Sequence, residues 1–148
     1  MLVESGAIIE LLLQRHSGGR LRPAPDSPDF ARYVQWMHFA EGGAMHQFVM
    51  QYTVDRMPGV EASPLRDWVT ATTLRYRRYI EAELGTRPYI AGAEFSAADI
   101  LMPLAITFMQ SPAFQAMETR EFLNFRAYLE RIGARAAYRK AMAIANPL

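Results

Sequence analysis

The sequence predicts an all-α helical bundle, on three observations. Phe95 to Ile100 reads as a complete helix start ahead of a run that is apolar on every face. The stretch from Ser27 to about Arg56 repeats apolar residues at spacings of three and four, and other segments are bracketed by helix start and stop signals. With 148 residues, 51% of them hydrophobic and 21% charged, the chain is long enough for one globular domain that buries about two-thirds of its unfolded surface.

The first element is a short helix through Ala7–Leu13, with Ser5 as the expected N-cap and Ala7, Ile8, Leu11 and Leu12 on one face. Gly18 and Gly19 end it. Free backbone N–H groups and the positive end of the helix dipole suit a carboxylate at its start, and Glu4 beside them can hold an ammonium. Together they describe a seat for an α-amino acid head group, although a serine before an apolar helix also serves as a plain cap. Ser17 to Asp29, rich in Gly, Pro, Ser and Arg and without apolar periodicity, reads as a linker.

Ser27 and Pro28 supply an N-cap and N1 proline for a long helix, roughly 45 Å at 1.5 Å per residue. Phe30, Tyr33, Val34, Met37, Ala40, Ala44, Met45, Phe48 and Tyr52 form its expected core stripe, and Gly42-Gly43 marks a bend or a close approach. Met57-Pro58-Gly59 ends it. Ser63-Pro64 starts the next helix, which runs to Leu84 before Gly85, with Leu65, Trp68, Val69, Thr72, Tyr76, Tyr79 and Ile80 inward. Arg75, Arg77 and Arg78 read as a solvated face, with Glu81 paired to Arg77 or Arg78.

In the central helix Ser96 is placed to accept an N–H three residues on and Asp99 to reach back to the Ser96 N–H, with Phe95 and Ile100 as a hydrophobic staple. Its all-round apolar character predicts burial on every side. Pro103 is expected to bend it and Ser111-Pro112 to end it. Thr119 is the expected start of another helix, with Phe122, Phe125, Leu129 and Ile132 inward and Gly133 as its stop.

The totals exclude several classes. A net charge of +1 argues against a dedicated nucleic-acid binder, although fifteen of the sixteen basic residues are arginine. The absence of cysteine rules out disulfides, thiolate metal sites and a cysteine nucleophile within this chain, and is compatible with a reducing cytoplasm. Glu10 interrupts the N-terminal apolar run, and no run approaches the ~18 residues of a membrane span. Three histidines, His16, His38 and His46, are too scattered for a metal site, and no P-loop, dinucleotide glycine run or Ser-His-Asp arrangement is present.

Four ordered segments resemble glutathione S-transferases. Tyr89-Ile90-Ala91-Gly92 through Ser96-Ala97-Ala98-Asp99-Ile100 resembles the segment that opens the core helix of the family's C-terminal domain. Glu4-Ser5-Gly6-Ala7-Ile8 is similar to its Glu-Ser motif. Trp36-Met37-His38-Phe39-Ala40-Glu41-Gly42-Gly43-Ala44-Met45 resembles a stretch found in one microbial group, and Ala134 to Ala141 resembles the final helix, with Ala136 in place of the usual proline. The resemblance implies a helical bundle of the C-terminal-domain type over residues 30–148, a linker at 18–29, and at 1–17 the last helix of a thioredoxin-like domain. It implies that most of that domain, with its thiol-activating residue, lies outside these residues, so no catalytic residue is assigned.

By the same resemblance Glu4 and Ser5 bind the γ-glutamyl end of glutathione, with Glu41 reaching its amine across a homodimer. Met45, His46 and Val49 line a pocket for a small hydrophobic electrophile. For Met45 core packing, and for His46 a hydrated or structural histidine, are the competing readings. Glutathione is then a substrate and no metal is required; the implied setting is cytoplasmic, with neither nucleic acid nor membrane as partner. The alternative is a non-catalytic dimerisation or protein-interaction module of the same fold. An apolar patch around Ile8, Ile9, Leu12 and Leu13 is expected to be exposed unless covered by dimerisation.

Overall fold

The computed structural model describes residues 1–109 and 122–145. Its elements are α1 (Ser5–His16), α2 (Phe30–His38), a π-helical segment (Phe39–Met45), α3 (His46–Val54), α4 (Pro64–Leu84), α5 (Ala98–Met109), α6 (Leu123–Gly133) and α7 (Ala136–Ala145), with no strand among the described residues. The expected helix end at Ser111-Pro112 and start at Thr119 lie outside those residues.

The long helix is real but not uniform. The α2 and α3 sections are joined by the π segment centred on Gly42-Gly43, where the sequence predicts a bend or close approach. The two glycines are not equivalent. A Cβ on Gly43 would stand 2.7 Å from the Phe39 ring, whereas one on Gly42 meets nothing within 4 Å. Phe39 cannot retreat easily, because its ring packs edge-on against Trp36 at 5.2 Å and Tyr79 at 5.6 Å. Trp36 in turn stacks on Tyr79 at 5.3 Å, so this aromatic group ties the long helix to α4.

α4 begins and ends where its sequence signals place it: the Ser63 hydroxyl accepts the Arg66 N–H and Gly85 follows Leu84. Its inward face matches the expected stripe at Val69, Thr72 and Ile80 and departs from it elsewhere. Val69, Thr72, Thr73, Arg77, Ile80 and Leu84 are buried, while Leu65, Trp68 and Tyr79 are exposed, Trp68 by 55%. Arg77 is thus not part of a solvated cluster; its guanidinium lies over the Phe122 ring at 4.2 Å. Glu81 also has a different task, since its carboxylate accepts the N–H groups of Asn124 and Phe125 and so caps α6.

α5 packs against α2, the π segment and α6, which makes it the centre of the bundle. Leu101, Met102, Ala105 and Ile106 are buried, but Ile100 and Leu104 are exposed, so the burial is not all-round. The helix continues through Pro103. At its start Ser96 does not cap with its hydroxyl as expected: that hydroxyl donates to Asp99 instead. The Asp99 half of the box holds, with Oδ2 accepting the Ser96 N–H at 2.9 Å and Oδ1 accepting the Ile90 N–H at 2.8 Å and the Tyr128 hydroxyl at 2.9 Å. Asp99 is 1% exposed, and burial pushes its carboxyl above the ordinary range despite those donors. Phe95 packs edge-on against Tyr89 and under Arg135 rather than against the exposed Ile100.

The 18–29 stretch is tethered, with the Leu21 carbonyl accepting the Ala97 N–H at 2.8 Å. Half of the expected N-terminal patch is covered: Leu13 is buried and Ile9 packs on the core, while Ile8 and Leu12 stay exposed. No helix among the described residues is long and apolar enough to cross a membrane.

Candidate functional site

The site is built where α1 leans on the long helix. Its first residue is Glu4, whose backbone has φ 76°, a left-handed conformation that costs a non-glycine residue about 1–3 kcal/mol. That turn starts α1 at Ser5, one residue earlier than an N-capping Ser5 would. Glu4 therefore takes the cap position, and no side chain caps the helix. The Glu4 carbonyl accepts the Ile8 N–H at 3.0 Å, and the N–H groups before it have no intrahelical acceptor, as in any first turn. They carry the positive end of the helix dipole.

Relieved of capping, the Ser5 hydroxyl donates to Glu41 Oε1 at 2.8 Å. The two residues are 36 apart in sequence, and the structure joins them within one chain. One helical turn and a half along α1, Glu10 Oε1 accepts the Tyr33 hydroxyl at 2.6 Å, and its other oxygen faces Arg22 at 3.5 Å. Tyr33 is buried, which together with the hydrogen bond to Glu10 pushes its phenol far above the ordinary value and keeps it a donor. Arg22 lies over the Phe30 ring at 5.8 Å.

Between these two bridges runs a cleft of about 510 Å³. Glu4, Gly6, Ala7 and Glu10 form the α1 wall; Phe30, Tyr33, Val34, Met37, His38, Glu41 and Gly42 form the other, with Arg22 at one end. Glu4 and Glu41 from the expected glutathione set both line it. The expected electrophile residues do not: Met45 packs partly against the core, and His46 and Val49 are exposed farther along the helix. Val34, read from the sequence as core, is instead cleft wall. His38, Glu10 and Tyr33 were missed as site residues. The signal for His38 lay in its spacing, since Val34, His38 and Glu41 follow one another at four and three residues on one helix face. Among the described residues no group of three acidic, histidine or cysteine side chains is arranged to hold a metal.

An all-helical bundle with a carboxylate-flanked helix N-terminus set against its longest helix defines a class, and comparison with known proteins gives the family. Residues 47–136 match the glutathione S-transferase C-terminal domain. The chain belongs to the glutathione S-transferase family. It is 26% identical over 152 residues to glutathione S-transferase 3 of Schizosaccharomyces pombe, covering 94% of this chain and 61% of that protein. Its fold is similar to a glutathione S-transferase from Actinobacillus pleuropneumoniae, with TM-score 0.83 and 21% identity over 95% of this chain and 62% of the other. A glutathione transferase from Burkholderia graminis, whose structure holds two glutathione molecules per subunit, matches with TM-score 0.74 and 26% identity over 96% of this chain and 60% of that one. The chain thus spans about three-fifths of the length of these relatives.

Proposed function

We propose that this chain supplies the γ-glutamyl end of a glutathione site and one wall of a pocket for a hydrophobic electrophile, in a protein that conjugates the two. The observation that carries this reading is the meeting of Ser5 and Glu41 beside Glu4 at the uncapped start of α1. An amino acid head group presents an ammonium and a carboxylate side by side. Glu4 and Glu41 suit the ammonium; the first-turn N–H groups suit the carboxylate, and the Ser5 hydroxyl, now donated to Glu41, turns to it on binding. The apolar faces of Phe30, Val34 and Met37 in the adjoining cleft, and Met45, His46 and Val49 farther along, are the surfaces offered to the electrophile. These residues bind and orient; activation of the thiol is assigned to none of them. The Burkholderia relative's bound glutathione supports the choice of ligand. A cytoplasmic homodimer that takes neither nucleic acid nor membrane completes the reading.

Titration calorimetry with glutathione tests it. Binding by the wild-type chain, weakened about tenfold in both Ser5→Ala and Glu41→Gln as expected for a lost hydrogen bond to a charged group, supports the reading. No heat at millimolar glutathione, or variants equal to wild type, overturns it.

The second reading is a non-catalytic interaction module, favoured by the exposed apolar side chains Leu65 and Trp68 on α4. Conjugation of glutathione to a generic aryl halide faster than in buffer removes it.

A further inference from the structure

The glutathione reading leaves a second side-chain contact between α1 and the long helix unused. Tyr33 is 1% exposed, yet its hydroxyl reaches out to Glu10 at 2.6 Å, and Arg22 holds the other oxygen of the same carboxylate. This bridge and the Ser5–Glu41 contact run in opposite order along their two helices: the earlier residue of α1 meets the later residue of the long helix. Two such contacts define a register. The outer one, at the exposed mouth, contains the groups offered to the amino acid head group; the inner one lies farther along the same cleft and is partly buried, Tyr33 fully and the Glu10 side chain in part.

The backbone between Tyr33 and Glu41 matters as well. Eight residues of regular α-helix, at roughly 100° each, leave Glu41 about 80° round the axis from Tyr33. Residues from Phe39 onward are π-helical, which turns the chain less per residue and brings Glu41 back toward the Tyr33 side, where α1 lies. Gly43 permits that segment, since the Phe39 ring occupies the space of its missing Cβ.

We propose that Tyr33 and Glu10 are positioning residues for the glutathione site: their hydrogen bond sets the register of α1 on the long helix, and through it the meeting of Ser5 with Glu41. The inference rests on the glutathione reading above. α1 otherwise rests on the buried Leu13, on Ile9 and on exposed polar groups, so losing the inner bridge frees its first turn without unfolding the bundle. Glutathione then binds only to the fraction of molecules in register, and its apparent affinity falls by that fraction.

The test compares wild type, Tyr33→Phe, Glu10→Leu and Glu10→Gln in the full 148-residue chain. Tyr33→Phe keeps the ring and its packing; Glu10→Gln keeps an acceptor for the phenol. Amide hydrogen exchange of the α1 peptide is expected to speed up about tenfold in Tyr33→Phe and Glu10→Leu, the low end for a lost hydrogen bond to a charged group, with α4 unchanged. Glutathione affinity falls by a similar factor in the same two variants, and Glu10→Gln, which keeps a neutral acceptor for the phenol but loses the charge facing Arg22, is expected to lose less than Glu10→Leu in both measurements. Unchanged α1 exchange in Tyr33→Phe overturns the proposal. So does wild-type glutathione affinity in a variant whose α1 has loosened, because the bridge is then structural only. A wild-type chain that binds no glutathione overturns the glutathione reading itself and the role built on it, an outcome distinct from the other two.

Discussion

Asp99→Asn isolates what the buried carboxylate does. The change alters no volume and keeps one oxygen, but the new NH2 must take the place of Oδ1 or Oδ2. At the Oδ1 place it confronts the Ile90 N–H and the Tyr128 hydroxyl; at the Oδ2 place, the N–H and hydroxyl of Ser96. A hydroxyl can rotate and accept from the amide, whereas a backbone N–H cannot. Either orientation therefore leaves one buried N–H without an acceptor, a cost of about 1–3 kcal/mol. For a chain of this size about 2 kcal/mol corresponds to a fall in Tm of roughly 4–8 °C. The pH dependence has a definite sign. Burial raises the folded-state pKa of Asp99, so its contribution is fully present below the unfolded carboxyl range and is lost as pH rises through the folded value. The stability gap between wild type and variant is then widest in acid and narrows toward neutral pH. Urea denaturation followed by circular dichroism, at several pH values with equal slopes, measures it. A variant within about 0.5 kcal/mol of wild type throughout, or a gap that widens as pH rises, refutes the reasoning, since exposed substitutions commonly stay within that margin.

The two glycines of the π segment should respond in opposite directions. Gly42→Ala meets open space and should stabilise by about 0.4–1 kcal/mol, while Gly43→Ala drives a Cβ into the pinned Phe39 ring and should cost about 1–3 kcal/mol in a thermal melt. Glu81→Ala strips two N–H groups of α6 of their acceptor, an expected loss of about 1–2 kcal/mol in urea, with hydrogen exchange of residues 123–133 rising more than that of α5. Trp68→Ser, at a side chain 55% exposed, should shift stability by less than about 0.5 kcal/mol. If α4 offers an interface, the same change weakens self-association in sedimentation at high protein concentration.

Element boundaries were legible where the signal is local. Ser63, Pro64 and Gly85 bracket α4 because an N-cap, an N1 proline and a terminating glycine act through the backbone within one turn. Asp99 was legible as a capping residue for the same reason: its partner, the Ser96 N–H, is three residues away. The inward face of α4 was legible only in part: Val69, Thr72 and Ile80 read as inward and are buried, but apolar residues occur around much of that helix, and only packing against α3 and α6 buries Thr73 and Arg77 while leaving Leu65 and Trp68 outside. In the candidate site Glu4, Ser5 and Glu41 were legible through motif likeness, whereas Tyr33 read as an ordinary core position and Glu10 as an interruption of an apolar run.

By itself, then, the sequence determined that this chain is a helical bundle with a capped central helix, and it marked the family. The tertiary structure decided which distant donor each carboxylate serves. Asp99 acquires Tyr128, Glu81 acquires the start of α6, and Ser5 turns from cap to partner of Glu41. Caps and turns are short-range and are written in neighbouring residues. Those longer hydrogen bonds span 29, 43 and 36 residues, and their donors and acceptors meet only after burial of the core has set the helices side by side.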